Sequence, residues 1–283
     1  MATQVDIAVS YDVSNEFFAV WLDRRMNYSC ALFEGTDDLE VAQLNKLAYI
    51  HDAAHVEPDK PVLDIGCGWG ANLRYLTEDR GVGDATGITL SSAQYEHLRR
   101  HPIRNATVQC VNYRDYQPER RFRAVISIGM FEHVASPEDT RTGRHLEIYR
   151  DYFRRAWTWT EPGSWFALQS VIAGSVKPRK LAHALELIWG STTIFPNSMA
   201  PELGAICDSV APYWEVVEVK TRREHYMRTA DEWRKRLHAH ENQIVERWGV
   251  ERFREYDRYL AACVLAFENG YQALAQLSLR RVD

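Results

Sequence analysis

Val62-Leu63-Asp64-Ile65-Gly66-Cys67-Gly68-Trp69-Gly70 reads as a strand running straight into a glycine-rich turn. Val62 and Leu63 close a short apolar run opened by Pro61, and a helix-forming segment, Ala71-Asn72-Leu73-Arg74-Tyr75-Leu76, follows the third glycine. Glycines at 66, 68 and 70 let the backbone turn sharply and let a flat ligand lie against it without meeting a Cβ. Strand, turn and helix in this order form the nucleotide-binding corner of a doubly wound α/β fold.

The spacing narrows the ligand. A dinucleotide corner wants G-x-G-x-x-G, whereas this chain has G-x-G-x-G preceded by Asp64. An acid just before the turn repels phosphate and suits a ligand with an ammonium group. S-adenosyl-L-methionine carries that ammonium and a sulfonium but no phosphate. A glycine-rich turn without any ligand is the bland alternative, and the ordered strand, turn and helix weigh against it. The corner alone points to a class I methyltransferase and says nothing of the acceptor.

Composition sets wide bounds. A chain of 283 residues accommodates one large domain, with or without a lid, around a substantial core. The net charge of −5 argues against sequence-independent nucleic-acid binding, which needs a basic surface. Residues 1–6 show neither a basic n-region nor an apolar run, and no stretch approaches the roughly 20 apolar residues of a membrane span. Five scattered cysteines without C-x-x-C spacing fit free thiols, so a cytoplasmic location is expected. Nine tryptophans and fourteen tyrosines fill a core or line an apolar, cation-facing tunnel; composition does not separate these roles.

Strand-like runs recur at βα spacing: Val62–Ile65, Ala85–Leu90, Ala124–Ile128 and Trp165–Ile172. Helical stretches such as Ala93–Arg100 and His145–Thr158 separate them, which predicts a mostly parallel sheet with helices on both faces. Its ligand crevice belongs beyond the carboxyl ends of the strands. Asp37 with Glu40 reads as a capping box before a helix with Leu44, Leu47, Ala48 and His51 on one face. Thr229 with Glu232 reads as a second box, opening a helix with Trp233, Leu237, Ile244 and Trp248. A further helix carries Phe253, Tyr256, Leu260, Val264 and Phe267, and Ala273–Leu279 reads as a closing strand. One domain is expected throughout: a helical cap over 1–56, a cofactor-binding core over 57–172, lid insertions and a strand over 173–250, and a closing helix and strand over 251–283.

Two further stretches bear on chemistry. Where the second strand ends, an acid normally holds the ribose hydroxyls, but this chain has Thr89-Leu90-Ser91-Ser92-Ala93-Gln94, which offers only neutral hydrogen bonds. A central strand ends in Ser127-Ile128-Gly129-Met130-Phe131-Glu132-His133, placing Glu132 and His133 at the crevice. Solvated loop residues are the plain alternative, and His133 alone reads more readily as structural than as a catalyst. No second His or Cys stands at zinc-ligand spacing, so no metal is expected.

With these pieces in hand, the chain resembles the cyclopropane fatty acid synthase family of S-adenosylmethionine-dependent methyltransferases, particularly its short mycolic-acid-modifying branch. Matching segments are Tyr11–Phe18, Tyr28–Glu34, Asp64–Gly70, Thr89-Leu90-Ser91 with Gln94, Ser127–His133, Ile194-Phe195-Pro196, His225-Tyr226, and Thr229 with Trp233. They are collinear over nearly the whole chain. The resemblance implies a seven-stranded Rossmann-like sheet with N-terminal helices and a helical lid. It implies cofactor contacts from Tyr28, Ser29, Asp64, Gly66, Gly68, Thr89, Leu90, Gln94, Ile128 and Gly129, with Tyr113 where the family has a Trp beside the adenine. The family also holds bicarbonate with a Cys, a Glu, a His and a Tyr; Cys30, Glu132 and Tyr226 match three of them. At the His position this chain has Gln169, and Ser10 replaces a His that usually precedes Tyr-Asp.

Three functions follow. The first is carbon methylation of an alkene in a hydrophobic acceptor (lipid, isoprenoid or natural-product intermediate), giving a cyclopropane, methyl-branched or cyclised product, because glutamine cannot take up a proton as histidine does. The second is N-methylation of an amine, with Glu132 and His133 positioning or deprotonating it. The third is a non-enzymatic cofactor-binding scaffold. Leu181, Leu185, Ile188, Trp189 and Phe195 are expected to form an apolar lid. The longer phospholipid-acting members carry an extra N-terminal domain, so a free or carrier-bound small substrate is expected over a bilayer lipid, with a homo-oligomer left open.

Overall fold

The computed structural model describes residues 3, 6, 7, 9 and 13–283. Ser10, Tyr11 and Asp12, which carry part of the family resemblance, lie outside the described residues. Seven strands form one sheet: β1 (Val62–Ile65), β2 (Ala85–Thr89), β3 (Ala106–Cys110), β4 (Phe122–Ile128), β5 (Thr160–Ala173), β6 (Trp214–Thr221) and β7 (Gln272–Arg281). Their order is β3-β2-β1-β4-β5-β7-β6. β1 to β5 pair in parallel, and β7 runs antiparallel between β5 and β6. The strand order reverses between β1 and β4, the place where such sheets open a ligand crevice.

Sequence explains the interior strands. β1 and β2 are buried at every position, Asp64, Thr86 and Thr89 included, as interior parallel strands covered on both faces must be. The helix His145–Thr158 buries Tyr149, Tyr152, Phe153 and Ala156, a 3.6-residue period that faces β5 through Phe166. A second core is rich in aromatic rings. Phe17, Phe18 and Trp21, from the helix Asn15–Trp21, meet Trp233 and Tyr256 from the C-terminal third; Phe17 and Tyr256 are 4.6 Å apart between ring centroids. Tyr28 packs edge-on against Trp233 at 5.3 Å, which carries this second core to the cofactor-facing loop.

Several local expectations are corrected. The helix Leu39–Ala53 is capped by Asp38, not Asp37, through its carboxylate and the Glu40 N–H. Its buried face is Leu39, Ala42, Gln43, Lys46, Leu47, Ile50 and His51, whereas Leu44 points to solvent. Thr229 opens no helix: it sits inside Arg223–Ala239, donating back to the His225 carbonyl while accepting from the Ala31 N–H. Strand β3 was not anticipated, because an exposed edge strand shows no apolar run. Nor was the helix Leu203–Val210, which packs against His145–Thr158.

Trp233 is 1% exposed and touches both Trp21 and Tyr28. Trp233→Ala is expected to cost about 3–5 kcal/mol of stability, read by urea unfolding. Because Tyr28 loses its support, affinity for S-adenosylhomocysteine falls as well in calorimetry.

Candidate active site

The three glycines of the β1 turn do different work. A Cβ on Gly66 would lie 2.6 Å from the Met130 Cβ, and one on Gly70 would lie 2.7 Å from Leu98 and Ile103 side chains. Gly68, with φ +56°, faces open space; the nearest atom to a Cβ there is Gln94 Nε2 at 3.9 Å. Two glycines thus permit close packing and the third keeps a cavity open. That cavity spans the carboxyl ends of β1, β2 and β4. Its walls include Tyr28, Ser29, Asp64, Gly66, Gly68, Thr89, Leu90, Gln94, Tyr113, Ile128 and Gly129, every residue expected to contact the cofactor.

Polar groups face inward. Asp64 is 1% exposed; its Oδ2 accepts from Asn72 Nδ2 at 3.1 Å, while Asp64 Oδ1 and Asn72 Oδ1 have no partner among the described residues. Burial pushes the Asp64 carboxyl up to about 7, with the Asn72 bond and the Lys46 charge working against the rise. Thr89 Oγ1 donates to Gln94 Oε1 at 2.8 Å, which leaves the Gln94 amide nitrogen as the free donor. Tyr113 is held by Arg114 Nε at 3.1 Å and stands edge-on to Tyr152.

Lys46 was missed by sequence reasoning. It lines the same cavity at 1% exposure and donates to Asn27 Oδ1 at 2.8 Å and Ser29 Oγ at 3.1 Å. Burial draws its ammonium down to about 8, with Asp23 the chief opposing charge. Gln43 Nε2 holds the Ser29 carbonyl at 2.9 Å, so one helix face grips Ser29 from two sides. A lysine sharing a helix face with Ala42, Tyr49 and Ile50 is the signal that would have found it.

A second cavity adjoins the first, and Tyr28, Gly129 and His133 line both. Its walls are Val171, Leu187, Phe195, Tyr226, Tyr259, Ala262, Cys263, Ala266 and Phe267, with Glu132 as an acid among them. Tyr226 stacks on Phe267 at 4.4 Å. The helix Val250–Glu268 uses two faces, burying Phe253, Tyr256 and Leu260 while Ala262, Cys263 and Ala266 widen the chamber. Glu132 Oε1 accepts from the Val171 N–H at 2.6 Å, and its Oε2 has no hydrogen-bond partner among the described residues. Desolvation pushes the Glu132 carboxyl up to about 7 and draws the His133 imidazole down to about 4.

Cys30 and Gln169 stand apart from that chamber wall. Cys30 is fully buried, its thiol donating to the Ala31 carbonyl at 3.2 Å, and burial pushes it far above the ordinary thiol range. Gln169 sits on β5 opposite Ile128, its Oε1 accepting from Gln276 at 2.7 Å and its Nε2 unpartnered. Of the expected lid residues, Phe195 lines the chamber and Trp189 lies under Arg258 at 4.1 Å. Leu181, Leu185 and Ile188 do not form the chamber wall; they are 74%, 53% and 57% exposed.

A carboxyl raised from its ordinary 4.5 to about 7 favours the folded state below pH 4.5, and that advantage disappears as pH rises through 7. Glu132→Gln is therefore expected to gain stability relative to wild type between pH 5 and pH 8, by up to about 3 kcal/mol. Denaturant titrations of both proteins across that range check this; parallel pH profiles would refute it.

Comparison with known proteins agrees with this geometry. Residues 2–277 match the family model described as mycolic acid cyclopropane synthetase. Cyclopropane mycolic acid synthase 2 of Mycobacterium bovis is 30% identical over 286 residues, covering 95% of this chain and 92% of its own. A probable fatty acid methyltransferase of Pseudomonas putida is 32% identical over 96% of this chain and 68% of its own. The cyclopropane synthase MmaA2 from Mycobacterium tuberculosis superimposes with a TM-score of 0.89 at 27% identity, covering 99% of each chain. Mycolic acid cyclopropane synthase CmaA1, solved with S-adenosylhomocysteine (SAH) and CTAB, gives a TM-score of 0.89 at 26% identity and the same coverage. This chain belongs to the mycolic acid cyclopropane synthetase family of S-adenosylmethionine-dependent methyltransferases.

Proposed function

We propose that this enzyme methylates a carbon of an alkene carried by a hydrophobic, lipid-like acceptor. The observation that carries the reading is the wall shared by the two cavities at Tyr28, Gly129 and His133, with an aromatic chamber on one side and a polar cradle on the other. Relatives named for mycolic and fatty acids, and a relative solved with the alkyl ammonium CTAB, support an apolar acceptor.

The cradle fits S-adenosylmethionine. Asp64 Oδ1 and Asn72 Oδ1 await a donor such as an ammonium, and Gly68 leaves room for a flat group. Tyr28, Ser29, Gly66, Thr89, Leu90, Gln94, Tyr113, Ile128 and Gly129 complete the binding set in this reading. When bound, the cofactor supplies an electrophilic methyl on sulfur. Methyl addition to an alkene leaves a cation on the acceptor, which must lose a proton.

Glu132 is the base we assign. Its free Oε2 and a carboxyl near 7 suit proton acceptance at neutral pH. His133, neutral because it is buried, and Tyr226 with its stacked ring orient the acceptor and face its positive charge. Bicarbonate fits the donor set poorly: Gln169 Nε2 is one orphan donor, but neither Cys30 nor Gln169 reaches the chamber wall.

Incubation with methyl-labelled cofactor and a panel of alkenyl fatty acids, isoprenoids and amines tests the proposal. Label on carbon is expected, with Glu132→Gln lowering turnover on the order of 10²–10⁴-fold and flattening the acid limb of the wild-type pH profile, whose apparent pKa lies at or below about 7. Label found solely on nitrogen would replace the reading with amine methylation.

A further inference from the structure

The helix Leu181–Thr193 buries none of its residues. Its inner side is committed. Leu187 and Gly190 line the chamber, His183 Nδ1 meets the Tyr271 hydroxyl at 2.8 Å, and Glu186 is bidentate to Arg258 at 2.8 and 3.1 Å. The outer side is a row of aliphatic side chains. Leu181, Leu185 and Ile188 follow at i, i+4 and i+7, which places them on one face, and Val176 just before the helix is 47% exposed. A water-facing helix ordinarily sets polar residues there.

Charge accompanies the ridge. Lys177, Arg179 and Lys180 are exposed at its head, and the one acid between residues 176 and 193 is Glu186, already held by Arg258. The chain as a whole carries −5, so this basic end is opposite in sign to the rest. We propose that the helix Leu181–Thr193, with the preceding basic turn, docks the enzyme on an anionic lipid surface. Aliphatic side chains sink into the acyl boundary and the three cations meet the headgroups, as in interfacial amphipathic helices. The negative remainder of the protein is repelled, which sets the orientation. The same helix walls the chamber from within, so an acyl chain leaving the bilayer passes one helix thickness to reach it.

A protein partner fits the ridge less well. Specific protein interfaces are anchored by aromatic and arginine side chains in pockets, whereas this ridge is convex and aliphatic, with Trp189 engaged by Arg258. The inference builds on an alkyl acceptor for the chamber, contrary to the expectation of a free or carrier-bound substrate. Vesicle binding is measured without turnover, so docking and the proposed reaction fail separately.

Flotation of the SAH-bound protein with vesicles of phosphatidylcholine alone, or mixed equally with phosphatidylglycerol, is the test. Binding to the mixed vesicles is expected to exceed binding to the neutral ones by at least about tenfold and to weaken with salt. The triple variant Leu181→Ser, Leu185→Ser, Ile188→Ser and the double variant Lys177→Glu, Lys180→Glu each lose that binding while keeping SAH affinity. Equal flotation of wild type and variants, or none by wild type, overturns the proposal. So does a wild-type dimer in sedimentation that the triple variant dissociates, or capture of an acidic acyl carrier protein by the same residues without vesicle binding.

Discussion

The contact between Gly66 and Met130 constrains everything around the site. With no Cβ at residue 66, the turn after β1 lies against the segment leaving β4, which a methyl group would push away. That approach sets Asp64 and Gly68 beside Gly129, Glu132 and His133, although some 65 residues separate the two segments. Cofactor cradle and acceptor chamber consequently share a wall rather than a corridor. Methyl transfer needs such proximity, since donor and acceptor atoms must meet in line without water between them.

Buried ionisable groups give that wall its character. Asp64 and Glu132 are both raised by desolvation and both keep one oxygen unpaired. Unsatisfied carboxyl oxygens are costly in a folded chain, and a cationic ligand offsets the cost at each. Lys46 restrains the effect on the cradle side, where it grips Ser29 and lowers the Asp64 carboxyl. Unfavourable polarity thus sits at the two places where, in the proposed reading, positive charge arrives or develops.

A polar chain runs from Gln169 to Glu34. Gln169 accepts from Gln276, Gln276 accepts from Arg222, and Arg222 pairs with Glu34. The chain fixes the Gln169 amide and leaves its nitrogen free beneath the sheet end. A glutamine so anchored donates hydrogen bonds but carries no proton away, so the proposed reading assigns proton removal to Glu132.

The amino-acid order alone determined the corner from Val62 to Gly70 and the alternation of strands and helices. These depend on local backbone freedom and on apolar periodicity, both legible in short windows. Tertiary structure alone decided what lies far apart in sequence: Thr229 capping Ala31, Lys46 turned into the cradle, and the second face of Val250–Glu268 opened by Ala262, Cys263 and Ala266. It also turned Leu181, Leu185 and Ile188 outward. A helix's period tells which residues share a face, but the partner that covers that face is chosen by packing across the whole chain.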